Sequence, residues 1–493
     1  MVLSEIEKKI KALEKSAQTL EPEAETRKSY QEVFSNYAEE FYSTINLQKA
    51  YLKHSEETIN AIINSSLSEK PEDLESIVRL IENSIVPPGL NTVSGTHFGY
   101  IPGGGIYTSA LGDFLSAITN RYSGVFYASP GAVALETKLI NWMANLLGFT
   151  GNAGGFLSSG GSMANLTAVY SAREHANLVS SDIPKTVVYL SEQTHHCVKK
   201  ALKICGLKEC IKRYVPLNKQ FQMIDTELKK MVLSDKNEGL KPWMLVASGG
   251  TTDLGIIDPL EKLGHVADEF NIWFHVDAAY GGFFMLTEQG REKLKGISLA
   301  DSVVLDPHKG LFLPYGSGAL IVKNLNTLIK SNAYSASYMQ DIEDNHMDLY
   351  SPAEVSPELS KHSRGFRMWL PLKIHGVEAF RSALNEKLLL TQYLWNWLKS
   401  IPSMLVSHKP ELTTILFRWE PNLSNLIKSV SSHDELNKQI RDMLVDRGNI
   451  FLSTTHIRNH YWLRLTILSV RTHLKEIRVF QRELSVLIEE FSN

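Results

Sequence analysis

A lysine stands at an unusual place in residues 301–316, which read DSVVLDPHKGLFLPYG. Lys309 follows an apolar run that is typical of a buried strand, and it lies between a histidine and a glycine. A free lysine amine has a pKa of about 10.4 and is a poor nucleophile at neutral pH, whereas a lysine in a desolvated or cationic site can form a Schiff base. The alternative is a solvated loop end. Lys309 is therefore a candidate nucleophile whose partners must be sought elsewhere in the chain.

A second candidate for chemistry is a run of small residues within FLSSGGSMANLTAVYSAREHA, residues 156–176. Gly160, Gly161 and Ser162 precede an alanine-rich helical stretch. A helix N-terminus offers free N–H groups and the positive end of the helix dipole, and glycines let a phosphate approach the backbone. A plain helix start with flexible glycines is the alternative, and this stretch alone leaves both readings open.

Two more candidates follow apolar runs that are typical of strands. Asp277, in HVDAAYGG, is costly to bury without a cation, which could be a structural arginine or a protonated heterocycle nitrogen. Ala278 and Ala279 leave room beside it for a flat ring. His195 and His196, in SEQTHHCVKKA, could supply a group that stacks on such a ring, or could equally be surface or capping residues.

These candidates fit one cofactor when they are taken together. A phosphate-binding turn, an acid for a ring nitrogen and a lysine are the groups that bind pyridoxal 5′-phosphate (PLP). Each group alone has another explanation. Their joint presence, in this order along one α/β pattern, predicts a PLP site.

The elements that must position these residues are short strands that alternate with helices between about residues 106 and 375. Runs such as TVVYLS, WMLVASGG and IWFHVDAAYG are nearly continuous in apolar residues. This pattern predicts an α/β fold, a parallel sheet covered on both faces, in which ligands gather at the carboxyl ends of the strands. Candidate chemistry follows three of these strands, at Thr251–Thr252, Asp277 and His308–Lys309.

The length of 493 residues predicts more than one structural unit. The pattern of residues 1–85 predicts helices that are too few to bury a hydrophobic core by themselves. We therefore expect them to pack on another domain or on a partner subunit. Residues 86–375 form the predicted large domain. Long helices and the strands TTILFRWE and YWLRLTIL indicate a smaller α+β domain at residues 376–493.

The composition excludes several classes of protein. The formal net charge is -3 without a long basic run, which argues against nucleic acid or an anionic membrane as a partner. No stretch reaches the roughly 18 apolar residues of a transmembrane helix, and the N-terminus lacks a signal-peptide core. The three cysteines argue against a disulfide framework and lack CxxC zinc spacing. We expect a cytoplasmic protein without a metal site.

Several motifs carry a resemblance to a known family over nearly the whole chain. They are ASPGAVALETKLINWM (128–143), the Gly-Ser turn, SEQTHHC, GGTTDLG, HVDAAYGG, DPHKG, RGFRMW (364–369) and LFRWE (416–420). The chain resembles the group II PLP-dependent amino-acid decarboxylases, which include the aromatic-L-amino-acid, histidine and glutamate decarboxylases. The resemblance implies PLP fold type I, the aspartate-aminotransferase-like fold. It also implies a homodimer with shared active sites, across which the N-terminal helices are exchanged.

The resemblance also implies a role for each candidate residue. Lys309 would form the Schiff base with the cofactor, and Asp277 would pair with the pyridinium nitrogen. His195 would stack on one face of the ring, with Ala279 under the other face. The remaining cofactor contacts would be Gly160, Gly161, Ser162, Thr252 and His308. Asp306 stands where some members have asparagine, and an acid near the phosphate is unfavourable unless it points away or is hydrogen-bonded.

The implied reaction is decarboxylation of an L-amino acid through a quinonoid intermediate. Tyr338 lies 29 residues after Lys309, close to the spacing of a family tyrosine implicated in protonating the carbanion, and it favours an amine product. A carbon–carbon lyase of the sphingosine-phosphate type shares the fold and the lysine. A non-catalytic protein with this fold is a third alternative. The presence of all four catalytic candidates, Lys309, Asp277, His195 and Tyr338, argues against it.

The substrate pocket is the part in which the sequence departs from familiar members. Tyr100, Tyr122 and Ser360 are the predicted pocket residues, and Tyr122 is expected to come from the partner subunit. Glycine stands at 103, 124 and 310, where several relatives have larger residues; these changes could alter the side chain that is accepted or could be neutral repacking. His97 could contact the substrate or hydrogen-bond its own loop, and we favour the second. The sequence does not name the amino acid.

Overall fold

The computed structural model describes residues 3–334, 349–426 and 430–492. The chain divides into two units, Met1–Gln48 and Lys49–Asn493. The first unit holds helices α1 (Leu3–Ala17) and α2 (Ala24–Thr44), neither of which has a buried residue. Helix α1 carries four large apolar residues at helical spacing, and all four are exposed: Leu3, Ile6, Ile10 and Leu13. The boundaries expected at residues 85 and 375 stay a prediction.

The second unit contains the sheets and the helices that cover them. Its strands are β1 (Tyr51–Leu52), β2 (Gly89–Leu90), β3 (Gly154–Ser158), β4 (Thr186–Leu190), β5 (Ile211–Tyr214), β6 (Lys241–Ser248), β7 (Trp273–Asp277), β8 (Ser302–Leu305), β9 (Gly318–Val322), β10 (Met404–Val406), β11 (Thr414–Trp419), β12 (Ser453–Ile457) and β13 (His460–Thr466). Its helices are α3 (Glu56–Ile63), α4 (Leu74–Leu80), α5 (Tyr107–Thr119), α6 (Pro130–Leu146), α7 (Gly161–His175), α8 (His196–Ile204), α9 (Asp225–Asn237), α10 (Leu260–Phe270), α11 (Glu288–Lys293), α12 (Pro307–Gly310), α13 (Asn326–Asn332), α14 (Pro352–Val355), α15 (Gly365–Ser400), α16 (His433–Asp446) and α17 (Leu474–Ser492).

The central sheet has seven strands in the order β3-β9-β8-β7-β6-β4-β5. Strand β9 runs antiparallel to both of its neighbours, and the other pairs are parallel. Every residue of β4 and of β9 is buried, which explains their continuous apolar sequences, because a strand covered on both faces has no solvent side. Strands β3, β4, β6, β7 and β8 therefore present their carboxyl ends at one edge, as the sequence predicts.

The C-terminal region forms a separate antiparallel sheet in the order β10-β11-β13-β12. Its apolar face packs on helices α15, α16 and α17, and Leu394, Phe417, Leu436 and Phe480 lie in the shared core. Helix α15 contains Pro371 and is interrupted at Gly376, where φ is 71°, so its backbone changes direction there. None of the helices in the described ranges combines the length and the apolar composition needed to cross a membrane.

Candidate active site

A cavity of about 280 Å³ opens at the edge of the central sheet where the parallel strands end. All nine residues predicted to bind the cofactor line it: Gly160, Gly161, Ser162, His195, Thr252, Asp277, Ala279, His308 and Lys309. They come from the segments after β3, β4, β6, β7 and β8. The shared direction of these strands is what brings together residues that lie as far apart as 160 and 309.

Lys309 occupies the single turn of α12 that follows β8. Proline at the first helical position and Asp306 just before it start this turn, and the turn places the two charged side chains side by side. The Lys309 amine lies 2.9 Å from the Asp306 carboxylate. Burial by itself lowers the pKa of Lys309, but the charge and the hydrogen bond of Asp306 outweigh burial and raise it. The side chain is thus held as an ammonium group.

Asp306 is a site residue that sequence reasoning left out. Its carboxylate is 2% exposed, and the oxygen that does not contact Lys309 has no hydrogen-bond partner among the described residues. The sequence offered one signal, because an acid three residues before a lysine can reach it across one helical turn. A carboxylate near a phosphate would be unfavourable by itself, but Asp306 contacts Lys309, whose positive charge compensates for it.

The turn between β3 and α7 has the shape of an anion site. Gly160 has a φ of 151°, a backbone conformation that favours glycine, and α7 begins at the next residue. A Cβ atom added to Gly161 would lie 2.9 Å from the Asp306 carboxylate and 3.3 Å from the Ala279 methyl. The first N–H groups of a helix have no partner within the helix, so this bare turn can accept a phosphate.

Asp277 and its neighbours suit a flat, protonated ring. Asp277 ends β7 and accepts hydrogen bonds from the Ala279 N–H at 3.2 Å and from the Asn165 amide at 3.3 Å. The Ala279 side chain is a single methyl group at the cavity wall, so it leaves space for a ring. One cavity therefore combines a helix N-terminus with free N–H groups, a carboxylate and a lysine, and these groups fit PLP.

His195 caps the helix that follows it, and its ring also lines the cavity. Its Nδ1 accepts the backbone N–H of Cys197 at 3.4 Å and caps α8, while its ring lines the cavity. Burial lowers the pKa of His195, so the neutral ring carries its proton on Nε2. The ring of His196 is tilted by 46° against that of His195, with 4.1 Å between ring centroids, and it does not line the cavity.

His308 and Thr252 are held by backbone contacts. Nδ1 of His308 donates to the carbonyl of Ser317, and the His308 Nε2 lies 3.7 Å from the Asp306 carboxylate. The backbone carbonyl of Thr252 accepts a hydrogen bond of 2.5 Å from Arg464 on β13, which sequence reasoning also missed. Arg464 donates to the carbonyl of Tyr100 as well, at 2.9 Å, so the C-terminal domain fixes two loops at the site.

The predicted substrate residues lie outside the lining of this cavity. Tyr100 has a φ of 55° and is 59% exposed, Tyr122 is 38% exposed, and Ser360 is exposed. Because part of this pocket is expected from a partner subunit, their role stays a prediction. Tyr338 falls in residues 335–348, outside the described residues.

The three glycine departures have packing reasons. An added Cβ at Gly103 would lie 2.0 Å from the His308 carbonyl, and one at Gly124 would lie 1.9 Å from the carbonyl of Leu359. At Gly310 it would lie 2.7 Å from the Cβ of Phe283. Backbone or a core side chain fills each space, so glycine is required where other members have larger residues.

His97 does not make the hydrogen bond that we expected of it. The side chain is 1% exposed, its ring lies 5.5 Å from that of Phe451, and neither ring nitrogen has a partner among the described residues. Burial lowers the pKa of His97 from 6.5 to about 4. The expectation of a loop hydrogen bond through this side chain is therefore wrong within the described structure, and His97 is a neutral core residue.

Replacing His97 with phenylalanine should stabilise the protein and reduce its sensitivity to acid. At neutral pH the change removes two unsatisfied nitrogens, which we expect to add about 1 kcal/mol or more to the free energy of unfolding. As the pH falls from 6.5 to 4, the unfolded state binds a proton that folded His97 does not, which costs about 3 kcal/mol; His97→Phe removes this loss. Urea unfolding between pH 4 and 7 measures both effects. The exposed His265→Gln serves as the control, and a steeper acid loss in His97→Phe than in the wild type would contradict the prediction.

Comparison with known proteins finds a matching family and several similar enzymes for this chain. The sequence profile of the family described as "Pyridoxal-dependent decarboxylase conserved domain" matches residues 56–420, more than half of the chain. An aromatic-L-amino-acid decarboxylase of Bacillus atrophaeus is 32% identical over 431 residues, which cover 87% of this chain and 88% of that protein. An aromatic-L-amino-acid decarboxylase of Catharanthus roseus is 29% identical over 418 residues, 83% of each chain.

A solved structure extends the similarity to the fold. The crystal structure of Catharanthus roseus tryptophan decarboxylase in complex with L-tryptophan superposes with a TM-score of 0.88 and 26% identity. The match covers 95% of this chain and 99% of that chain. The predicted α/β fold, with a mostly parallel central sheet and a smaller C-terminal sheet domain, is confirmed.

Proposed function

The chain belongs to the pyridoxal-dependent decarboxylase family, and we propose that the amino acid it decarboxylates carries an aromatic side chain. Its cofactor is PLP and its reaction class is amino-acid decarboxylation, so the predicted family, cofactor and enzyme class are confirmed. The observation that carries the proposal is the meeting of Lys309, Asp277 and the glycine turn in one cavity. That cavity belongs to a chain that is 32% identical to an aromatic-L-amino-acid decarboxylase.

The positions of the residues around the cavity support a specific role for each of them. The N–H groups at Gly161 and Ser162 would bind the phosphate, Asp277 would hold a proton on the ring nitrogen, and His195 would cover one face of the ring. Lys309 supplies the amine that holds the cofactor, and Asp306 receives that amine as an ammonium group whenever it is free. When bound, PLP supplies the electron sink for the bond that breaks at the α-carbon of the amino acid.

An aromatic cluster at the segment that contacts His308 supports the proposal of an aromatic substrate. Tyr100 presents an exposed ring on a segment whose Gly103 touches the backbone of His308, directly before Lys309. The ring centroids of Tyr100 and Phe451 lie 6.0 Å apart, and those of Tyr51 and Phe451 lie 5.8 Å apart. Aromatic rings attract one another by edge and offset contacts, so this cluster is suited to an aromatic side chain.

A substrate screen tests the proposal. The purified protein with PLP is incubated with each common L-amino acid, and both CO₂ and the organic product are measured. We expect CO₂ from tryptophan, tyrosine or phenylalanine and little from glutamate or histidine. Release of CO₂ from an acidic or basic amino acid alone would overturn the aromatic proposal.

The identity of the product tests Tyr338 in the same screen. We propose that Tyr338 protonates the carbon from which CO₂ has left, because its position 29 residues after Lys309 resembles that of the family tyrosine. An amine in equal amount to CO₂ supports this role, and Tyr338→Phe should then lose most of the amine. Unchanged amine yield in Tyr338→Phe would remove this residue from the mechanism.

We propose that the active enzyme is a homodimer whose two active sites are shared. One face of α5 carries apolar residues at helical spacing that are 37% to 60% exposed: Tyr107, Leu111, Phe114 and Ile118. A second copy would bury this face and would complete the pocket with Tyr122. Sedimentation of the PLP-bound protein measures the mass, and a monomer with full activity would contradict the proposal.

We also propose a cytoplasmic location. Cys197, Cys205 and Cys210 are all free thiols, as expected for a protein in a reducing compartment. Fractionation of cells followed by immunodetection tests the location, and recovery outside the cytosolic fraction would contradict it.

A further inference from the structure

A line of buried polar side chains runs behind the cofactor cavity and ends at Asp277. Trp273, His275 and Asp277 alternate along β7 and therefore share one face of the strand. Ser302 on the neighbouring strand β8 and Asn165 on α7 complete the line. His275 and Ser302 are 0% exposed and Asn165 is 1% exposed, so water does not compete for their hydrogen bonds.

Four hydrogen bonds join these residues without a gap, and a fifth leads from Asn165 to Gly161. Trp273 Nε1 lies 2.9 Å from Ser302 Oγ, and Ser302 Oγ lies 2.7 Å from His275 Nδ1. His275 Nε2 lies 2.9 Å from Asn165 Oδ1. Asn165 Nδ2 lies 3.3 Å from Asp277 Oδ2 and 2.9 Å from the carbonyl oxygen of Gly161.

The donors and acceptors in this line can be arranged in one direction only. The Asn165 amide must point its NH₂ group at Asp277 and Gly161, because both of those groups only accept hydrogen bonds. Its oxygen then faces His275 Nε2, which must carry a proton. Burial lowers the pKa of His275 to about 4, so the ring is neutral and its Nδ1 is an acceptor. Ser302 therefore donates to His275 and accepts from the Trp273 N–H.

We propose that this line of hydrogen bonds positions Asp277 for the cofactor ring nitrogen, and that Asn165 and His275 are positioning residues of the enzyme. Asn165 occupies both hydrogens of its NH₂ group, one on the phosphate turn and one on the carboxylate. It thus joins the turn that would hold the phosphate to the carboxylate that would face the ring nitrogen. The line contributes no charge of its own, so Asp277 remains the only anion in it. This inference rests on the family's cofactor, and not on which amino acid is the substrate.

A change of Asn165 to leucine removes the proposed contact without adding a charge. Leucine is close to asparagine in size, but it cannot donate to Asp277 or to Gly161. We expect PLP to bind Asn165→Leu about tenfold more weakly or worse, since a hydrogen bond to a charged group is lost. The 15N chemical shift of PLP labelled in its ring should also show less protonation of the ring nitrogen than in the wild type.

Thr167→Val is the matched control on the same helix. Thr167 is buried and donates only to the Met163 carbonyl, at 3.0 Å, so its loss perturbs α7 without touching the line. We expect this variant to bind PLP within twofold of the wild type. A general loosening of α7 would instead weaken PLP binding in both variants and would overturn the proposal.

Variants of His275 test the line one step further from the cofactor. In His275→Gln an amide can still donate to Asn165, whereas in His275→Leu no donor remains. We expect PLP affinity to fall in the order wild type, His275→Gln, His275→Leu, and the ring-nitrogen shift to follow the same order. If all variants fold and bind PLP with wild-type affinity and an unchanged 15N shift, the line is merely structural and the proposal fails.

These measurements separate the inference from the proposed function. PLP affinity and the 15N shift are read without any amino acid present. A protein that decarboxylates no aromatic amino acid, yet shows the expected order of PLP affinities, would refute the proposed substrate and support the positioning line. The opposite pattern would refute the positioning line alone.

Discussion

Replacing Lys309 with alanine should abolish covalent attachment of the cofactor and reduce decarboxylation by roughly 10³-fold or more, a loss typical when a covalent catalytic group is removed. The effect should be large because, among the described residues, no other lysine lines the cavity. Borohydride reduction of the wild type, followed by peptide mass spectrometry, should find the cofactor on the peptide that contains residue 309. The alanine variant should carry no cofactor on that peptide.

Lys309→Arg is the control that separates chemistry from folding. Loss of the amine in the alanine variant leaves the buried Asp306 carboxylate without its cation, which can cost about 3 kcal/mol or more of stability. Arginine keeps a positive charge beside Asp306 but offers no primary amine. We expect it to fold like the wild type and still to carry no reducible cofactor. Wild-type activity in either variant would mean that Lys309 is not the covalent residue.

The second large effect should come from Asp277→Ala, with kcat/KM lower by roughly 10²- to 10³-fold, since a partly buried ion pair loses one partner. The carboxylate favours the protonated form of a ring nitrogen that lies beside it, and without the carboxylate the ring is a weaker electron acceptor. Steady-state kinetics with saturating PLP measure the loss. The change also removes the acceptor of the Ala279 N–H and of the Asn165 amide, so urea unfolding of Asp277→Ala measures the accompanying loss of stability.

A chemical rescue distinguishes the charge of the ring from the simple presence of a carboxylate. PLP methylated on its ring nitrogen is permanently cationic, and the methyl group can occupy the space that Asp277→Ala vacates. We expect this cofactor to restore part of the activity of Asp277→Ala and to impair the wild type, where the methyl group meets the carboxylate. Equal activity of Asp277→Ala and the wild type with ordinary PLP would exclude the proposed role.

The sequence pointed to the chemistry of the site through local patterns. Lys309, Asp277 and the Gly160–Ser162 turn each follow an apolar run, and parallel strands of one sheet bring such positions to a common edge. The rule and the family resemblance together gave nine cofactor candidates, and all nine line one cavity. The PLP assignment followed because few ligands need a phosphate site, an acid and an amine at once.

Other residues could not be recognised from the chain alone. Asn165 faces Asp277 from a helix that lies 112 residues away in sequence, and Arg464 reaches Thr252 across 212 residues. Such contacts depend on how the helices and the C-terminal sheet pack, which no local pattern encodes. For His97 the sequence suggested a contact that the structure lacks. This polar residue of an irregular loop is buried, and its ring has no hydrogen-bond partner among the described residues.

The sequence by itself predicted the α/β fold and a PLP site, because strand periodicity and the types of residue at strand ends are local properties, and its motifs identified the enzyme family. Only the tertiary structure decided that Asp306 holds the free lysine amine, that Gly103, Gly124 and Gly310 are demanded by backbone or core contacts, and that a directed line of hydrogen bonds ends at Asp277. The physical reason is that hydrogen bonds and close packing act over about 3 to 4 Å in space, whatever the separation of the residues along the chain.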